Sequence, residues 1–123
     1  MKYIRTEKDI YEIDKDISYN GNEIYKVRNH NFSRFSIIGN GLRKADTIEE
    51  LIQDGDILYI HDLYPDVVLV VEGSIKPFGY NNPIKLKEWL KNKFTEFDLY
   101  IKQQNGDYHK IAEKKQSGEI KLI

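Results

Sequence analysis

Turn signals cut this chain into short pieces, and their spacing bounds the size of almost every element it can build. Asn20-Gly21, Gly39-Asn40-Gly41, Asn105-Gly106 and Ser117-Gly118 separate runs rich in β-branched and aromatic residues. Asn and Gly accept the positive φ that tight turns demand, so the intervening runs read as strands of a few residues each. Tyr3 to Arg5 and Ile10 to Ile13 predict an N-terminal hairpin across Glu7-Lys8-Asp9, followed by strands at Glu23 to Asn29 and Phe35 to Ile38. Asp56 to His61 and Val67 to Glu72 predict two more. The second of these is apolar at five successive positions, Val67 to Val71, which reads as a strand buried on both faces.

Two segments carry helix signals. A short helix is expected at about residues 47–53, with Asp46 accepting first-turn amides, Glu49 closing a capping box and Gly55 stopping it. The main helix is expected at about residues 83–95, where Asn82 caps and Pro83 takes the first helical position. Leu86, Trp89, Leu90, Phe94 and Phe97 then fall on one stripe at helical spacing, with Lys93 snorkelling at its edge. The last third reads as a β-meander, Asp98 to Gln103, Tyr108 to Glu113 and Glu119 to Leu122. Its first turn is expected to be type I with a bulge at Gly106, because one loop residue beyond Asn105-Gly106 sets Ile101 opposite Ile111 rather than Lys110. The fold class expected is α+β: a curved antiparallel sheet with a C-terminal β-meander packed on one main amphipathic helix, plus the short helix.

The 123 residues fit a single domain, 1–123, able to bury one core without staples. No cysteine is present, which excludes disulfides and thiolate metal sites and fits a reducing compartment. The start, Met1-Lys2-Tyr3-Ile4-Arg5, shows no signal-peptide apolar run, and no apolar stretch approaches the length of a membrane span. A soluble protein of a bacterial cytoplasm is the expectation.

Charge is segregated although the net charge is only −1. Ile24 to Ala45 holds five basic residues and no acid, whereas Asp46 to Ile75 holds eight acids and no lysine or arginine. Such segregation creates local fields that a net charge hides, and these steer encounters with charged partners.

Three segments carry a likeness to a known group. Tyr3-Ile4-Arg5-Thr6-Glu7-Lys8-Asp9-Ile10-Tyr11-Glu12-Ile13, Lys44-Ala45-Asp46-Thr47-Ile48-Glu49-Glu50-Leu51 and the closing Gly118-Glu119-Ile120-Lys121-Leu122-Ile123 resemble, in that order, small uncharacterised accessory proteins of phages and prophages of Gram-positive bacteria. The likeness covers both ends and the centre, while residues 56–95 lie outside it. It implies phage origin and an accessory role, such as inhibition of host defence.

The titratable inventory offers little catalytic machinery. His61-Asp62, near Asp56 and Asp66, could supply half an acid/base pair or metal ligands, but no metal-ligand spacing accompanies it. Glu49 and Glu50 are adjacent and point to different helix faces. Gly39-Asn40-Gly41 lacks the Gly-Lys-Ser/Thr continuation of a phosphate loop. No catalytic residue, metal or cofactor is therefore assigned.

Binding remains, in two forms. The favoured one is a protein-binding surface built from Asp54, Asp56, Tyr59, Asp62, Tyr64, Asp66 and Glu72, an acidic and tyrosine-bearing face that could dock on the basic groove of a nucleic-acid enzyme in place of phosphates. The chain would then be a non-catalytic phage or prophage accessory protein, an inhibitor of a bacterial defence nuclease (anti-CRISPR-like) or of another host protein. The alternative is a small nucleic-acid-binding protein using residues 25–35, where Tyr25, Lys26, Arg28, Phe32 and Arg34 interleave cations with rings. A pI near 6.3 weighs against it, since dedicated binders are strongly basic. Oligomeric state stays open, because an exposed meander edge could pair with a second copy.

Overall fold

A computed structural model describes residues 1–29, 35–39 and 41–123. Their contacts divide them into two units, Met1–Leu51 with Leu122–Ile123, and Ile52–Lys121.

The first unit is a sheet made from short strands joined by the turns its sequence encodes. Its strands are β1 (Tyr3–Arg5), β2 (Ile10–Asp16), β3 (Ile24–Arg28), β4 (Phe35–Ile38) and β5 (Arg43–Ala45), all paired antiparallel in the order β4-β3-β2-β1-β5. Asn20 and Gly21 both adopt positive φ, 54° and 79°, between the bridged residues Tyr19 and Asn22. That is the turn whose twist suits a two-residue hairpin. Ile4, Tyr11, Tyr25, Val27 and Ile37 form the core, with Ile13 and Leu42 packed against it.

The short helix expected at 47–53 is only a 3-10 turn, Glu49–Leu51. Its cap is Thr47, not Asp46: the Glu50 amide donates to Thr47 Oγ1, and Glu50 Oε2 accepts from the Thr47 amide and hydroxyl. A continuing α-helix would use the Glu50 and Leu51 carbonyls for amides four residues on. The guanidiniums of Arg43 and Arg5 take those two carbonyls instead, at 2.8 and 3.0 Å.

In the second unit β6 (Ile57–Ile60), β7 (Asp66–Leu69), β8 (Ser74–Ile75) and β9 (Ile84–Lys85) precede a single helical turn, α1 (Leu86–Trp89). β10 (Phe97–Lys102), β11 (Tyr108–Lys114) and β12 (Ile120–Leu122) follow. The main sheet has the order β12-β11-β10-β6-β7, and β8 pairs with β9 in a separate ribbon. Leu58, Ile60, Val68, Val70, Phe97, Leu99 and Ala112 are buried. One face of β7 is left uncovered, so only alternate residues of the apolar run are buried. Val68 and Val70 are buried, whereas Val67, Leu69 and Val71 are 59%, 49% and 53% exposed, which corrects the expectation of a strand buried on both faces.

The largest correction concerns the helix expected at 83–95. Its first residues are spent elsewhere: Ile84 and Lys85 pair as a strand with Ile75 and Ser74, and the Leu86 amide donates to the Gly73 carbonyl. Lys85, in extended conformation, stands at the cap without a side-chain hydrogen bond, so Asn82 and Pro83 do not start the helix. At the other end the Leu90 amide bonds Leu86, but Lys91 and Asn92 bond only three residues back, and Asn92 Oδ1 turns the chain by accepting from the Phe94 amide. Leu86 and Trp89 are buried as the stripe requires, but Phe94 is exposed and Phe97 belongs to β10. A nucleus of one turn gains few bonds for the residues it fixes, so strand pairing wins. The described residues thus make a mostly β protein of antiparallel sheets, and the α+β class does not hold.

The C-terminal meander forms, with a different register. Gly106 has φ of 91°, its amide donates to Gln103, and the Gln103 amide donates to Asp107, a turn closed by a Gly bulge. The loop comprises residues 104–106, so Ile101 stands opposite His109 rather than Ile111. A register shift between Leu99 and Tyr100 then sets Leu99 opposite Ala112, and Ile111 is buried all the same. Among the described residues no helix is long and apolar enough to cross a membrane.

Candidate binding cleft

Three loops of the second unit converge on an open cleft of about 390 Å³. They are the β6–β7 loop, the β8–β9 loop and the segment after α1, with Gln116 added from the turn that follows β11. Ile60, Pro77 and Trp89 supply apolar lining; Phe78, Tyr80 and Phe94 bring aromatic rings; His61, Asp62, Asn92, Thr95, Glu96 and Gln116 supply the polar groups. A smaller adjoining recess of about 150 Å³ shares Ile60, Asp62, Pro77 and Phe78 and adds Tyr64 and Asp66.

Backbone hydrogen bonds hold these loops in place. Asp66 Oδ2 accepts from the Phe78 amide at 2.6 Å, tying the β8–β9 loop to the start of β7, and Gly79 supplies the positive φ of 88° that the bend needs. Asp62 Oδ1 accepts from the Leu63 amide, and the His61 amide donates to the Glu96 carbonyl at 2.8 Å. Beneath the third loop Lys114, a residue only 6% exposed, donates from its ammonium to the carbonyls of Lys93 and Thr95 at 2.9 and 2.6 Å. The rings of Tyr64 and Phe78 lie 5.6 Å apart, and Trp89 packs on buried Phe97 at 5.5 Å.

His61 is oriented from behind. Its Nε2 lies 2.8 Å from Oδ2 of buried Asp98, whose Oδ1 lies 3.3 Å from Lys110 Nζ. Lys110 also donates to Glu113 at 3.0 Å, which pushes the lysine pKa up and the Glu113 pKa down, the hydrogen bond being the largest cause in each case. The Tyr59 ring meets the imidazole edge-on at 4.7 Å. A histidine held by a buried carboxylate is a familiar base geometry. No group of three or more His, Asp or Glu residues suited to a metal occurs among the described residues.

The acidic and tyrosine set expected from the sequence is divided by the structure. Asp62, Tyr64 and Asp66 come together at the cleft and its side recess. Tyr59 lies behind them against His61. Asp54 and Glu72 belong to the far end of the β6–β7 pair, where Asp54 Oδ1 accepts from the Gly73 amide and Glu72 occupies the turn with φ of 51°. Asp56 is 2% exposed and accepts from the Gln53 amide, so its carboxylate is spent inside the unit.

Phe78, Tyr80, Phe94 and Glu96 were missing from that set. The signal for two of them was Phe78-Gly79-Tyr80, a pair of aromatics inside a polar, turn-rich stretch that no strand or helix claims. Phe94 was absorbed into the expected helix stripe.

In the first unit, the basic and aromatic segment is arranged for packing and local pairing. Tyr25 is buried, its hydroxyl donates to Glu23 Oε1 at 2.6 Å and accepts from Lys44 at 2.8 Å. Lys44 also pairs with Glu23, and the Gly41 amide donates to the other Glu23 oxygen. These bonds, Lys44 foremost, hold the Glu23 carboxyl down to about 2. Arg28 Nε faces Asp14 at 3.1 Å and Glu12 at 3.6 Å, while Lys26 is exposed. Phe32 and Arg34 lie outside the described residues.

Compared with protein-family models, with curated proteins and with solved structures, the chain matches none of them.

Proposed function

We propose that this chain is a non-catalytic accessory protein of a phage or prophage that acts by binding, as an inhibitor of a bacterial defence nuclease of the anti-CRISPR kind or of another host protein. The observation that carries the reading is a set of uncovered aromatics at the cleft and its side recess: Phe78, Phe94 and Tyr64 are 71%, 66% and 65% exposed. Covering one such side chain is worth about 1.5–3 kcal/mol, and aromatics of this kind are the anchors of protein interfaces. The carboxylates of Asp62 and Asp66 beside them suit a partner surface that is basic, as the groove of a nucleic-acid enzyme is.

A purified defence nuclease titrated with the full chain tests this. Wild-type chain should stop cleavage near stoichiometric ratio, and a Tyr64→Ala/Phe78→Ala variant should lose at least about a hundredfold in potency, since two anchors at about 1.5 kcal/mol each are removed. Its urea midpoint should stay unchanged, because both rings are exposed. Equal potency of the variant overturns the cleft as the binding surface. Substrate turnover that disappears in His61→Ala would replace the binding reading with an enzymatic one.

A further inference from the structure

The cleft holds two carboxylates that no cation compensates. Three acids of the second unit have basic partners: Asp98 has His61 and Lys110, Glu113 has Lys110, and Glu88 has Lys91. Asp62 and Glu96 enter no ion pair among the described residues; the hydrogen bonds they accept come from the backbone amides of Leu63 and Gln116. No lysine or arginine lines the cleft, and the rings of Phe78, Tyr80 and Phe94 line it together with the two acids.

From this we infer that the cleft receives an arginine side chain projected by the partner protein, with Asp62 and Glu96 accepting from the guanidinium and the rings of Phe78 and Phe94 covering its planar face. The inference rests on the binding function proposed above and names what is bound. Charge complementarity favours a cation here, and a negatively charged backbone or phosphate would be repelled. Arginine fits better than lysine, since its guanidinium is planar, weakly hydrated, stacks on aromatic faces and presents several donors to separate carboxylates. The cleft's volume of about 390 Å³ is within the range of sites that engulf small ligands, so a side chain and its aliphatic stem can enter together.

The full chain provides its own reporter, because Trp89 is its one tryptophan and lines the cleft. The probes are the blocked tripeptide Gly-Arg-Gly and the same peptide with citrulline, which keeps the shape and removes the charge, both at fixed ionic strength. The arginine peptide should change Trp89 fluorescence saturably, and citrulline should bind at least about tenfold more weakly, the loss expected of one charge-assisted contact. Asp62→Asn/Glu96→Gln should abolish the response, while Glu119→Gln, on an exposed residue outside the cleft, should leave it unchanged. Asn and Gln retain the oxygens that accept the Leu63 and Gln116 amides. Should that variant still fail to fold, the comparison of the two peptides on wild-type chain decides alone. Equal binding of both peptides, no saturable response, or an unaltered response in the folded double variant overturns the inference. If nuclease inhibition persists in that case, the binding function stands and only the arginine site falls.

Discussion

Lys114 shows how much one residue can carry. Its position in the sequence, next to Lys115 at the end of a strand, suggests a solvated charge, yet the residue is buried and its ammonium caps two carbonyls of the loop that ends in β10. Lys114→Met should cost about 2–4 kcal/mol, because the methionine fills the space and leaves those carbonyls without a donor. Urea denaturation reads this directly; a loss below about 0.5 kcal/mol would show that water replaces the ammonium at no cost. Glu23 gives a second test through pH. Its folded pKa is lowered to about 2, so its pairing with Lys44 and Tyr25 stabilises fully above the ordinary carboxylate range and is lost as pH falls through the folded value. The difference in thermal midpoint between wild type and Glu23→Gln should be constant at neutral pH and vanish as pH approaches about 2. A difference that grows on acidification contradicts the pairing. The choice of cap also belongs to this scale. Asp46 with Glu49 and Thr47 with Glu50 have the same spacing, and local sequence does not decide between them; the Thr47 hydroxyl wins through its reciprocal bonds with Glu50.

At the scale of elements, hairpins were legible and the helix was not. Asn20-Gly21 and Gly106 force their turns through φ values that few residues accept, so the chain reverses wherever they stand. The 86–97 stripe had no such local enforcement. Its helical spacing was real, but β9 pairing on one side and the Asn92 turn on the other left four residues to the helix. β7 offers a check on alternation. Val70→Ala should cost about 2 kcal/mol from lost transfer energy and the cavity it leaves. Leu69→Lys, on the exposed side of the same edge strand, should stay within about 0.5 kcal/mol. Equal costs at the two positions would mean that a further surface covers β7 in solution.

At the scale of the whole molecule, the segregated charge now has a place. Of the basic block, the described residues Lys26, Arg28, Arg43 and Lys44 lie in the first unit, while Asp54, Asp56, Asp62, Asp66 and Glu72 lie in the second. Far-UV circular dichroism should show a strand-dominated spectrum without the double minimum of helical proteins, and a strong helical signal would contradict the described architecture. Of the cleft, the sequence showed Asp62, Tyr64 and Asp66, because they crowd one loop. It did not show Phe78, Phe94 or Glu96, which reach the same space from loops separated by strands and a helical turn.

What the sequence determined by itself were the turns and the short strands between them, since each depends on backbone preferences acting over a few residues. The tertiary structure alone decided that residues 83–95 do not form a helix, that Ile101 faces His109, that Asp56 is buried, and that aromatics and carboxylates from separate loops line one cleft. These outcomes depend on which distant segment competes for a hydrogen bond or covers a side chain, and that competition is settled only when the strands have found their partners.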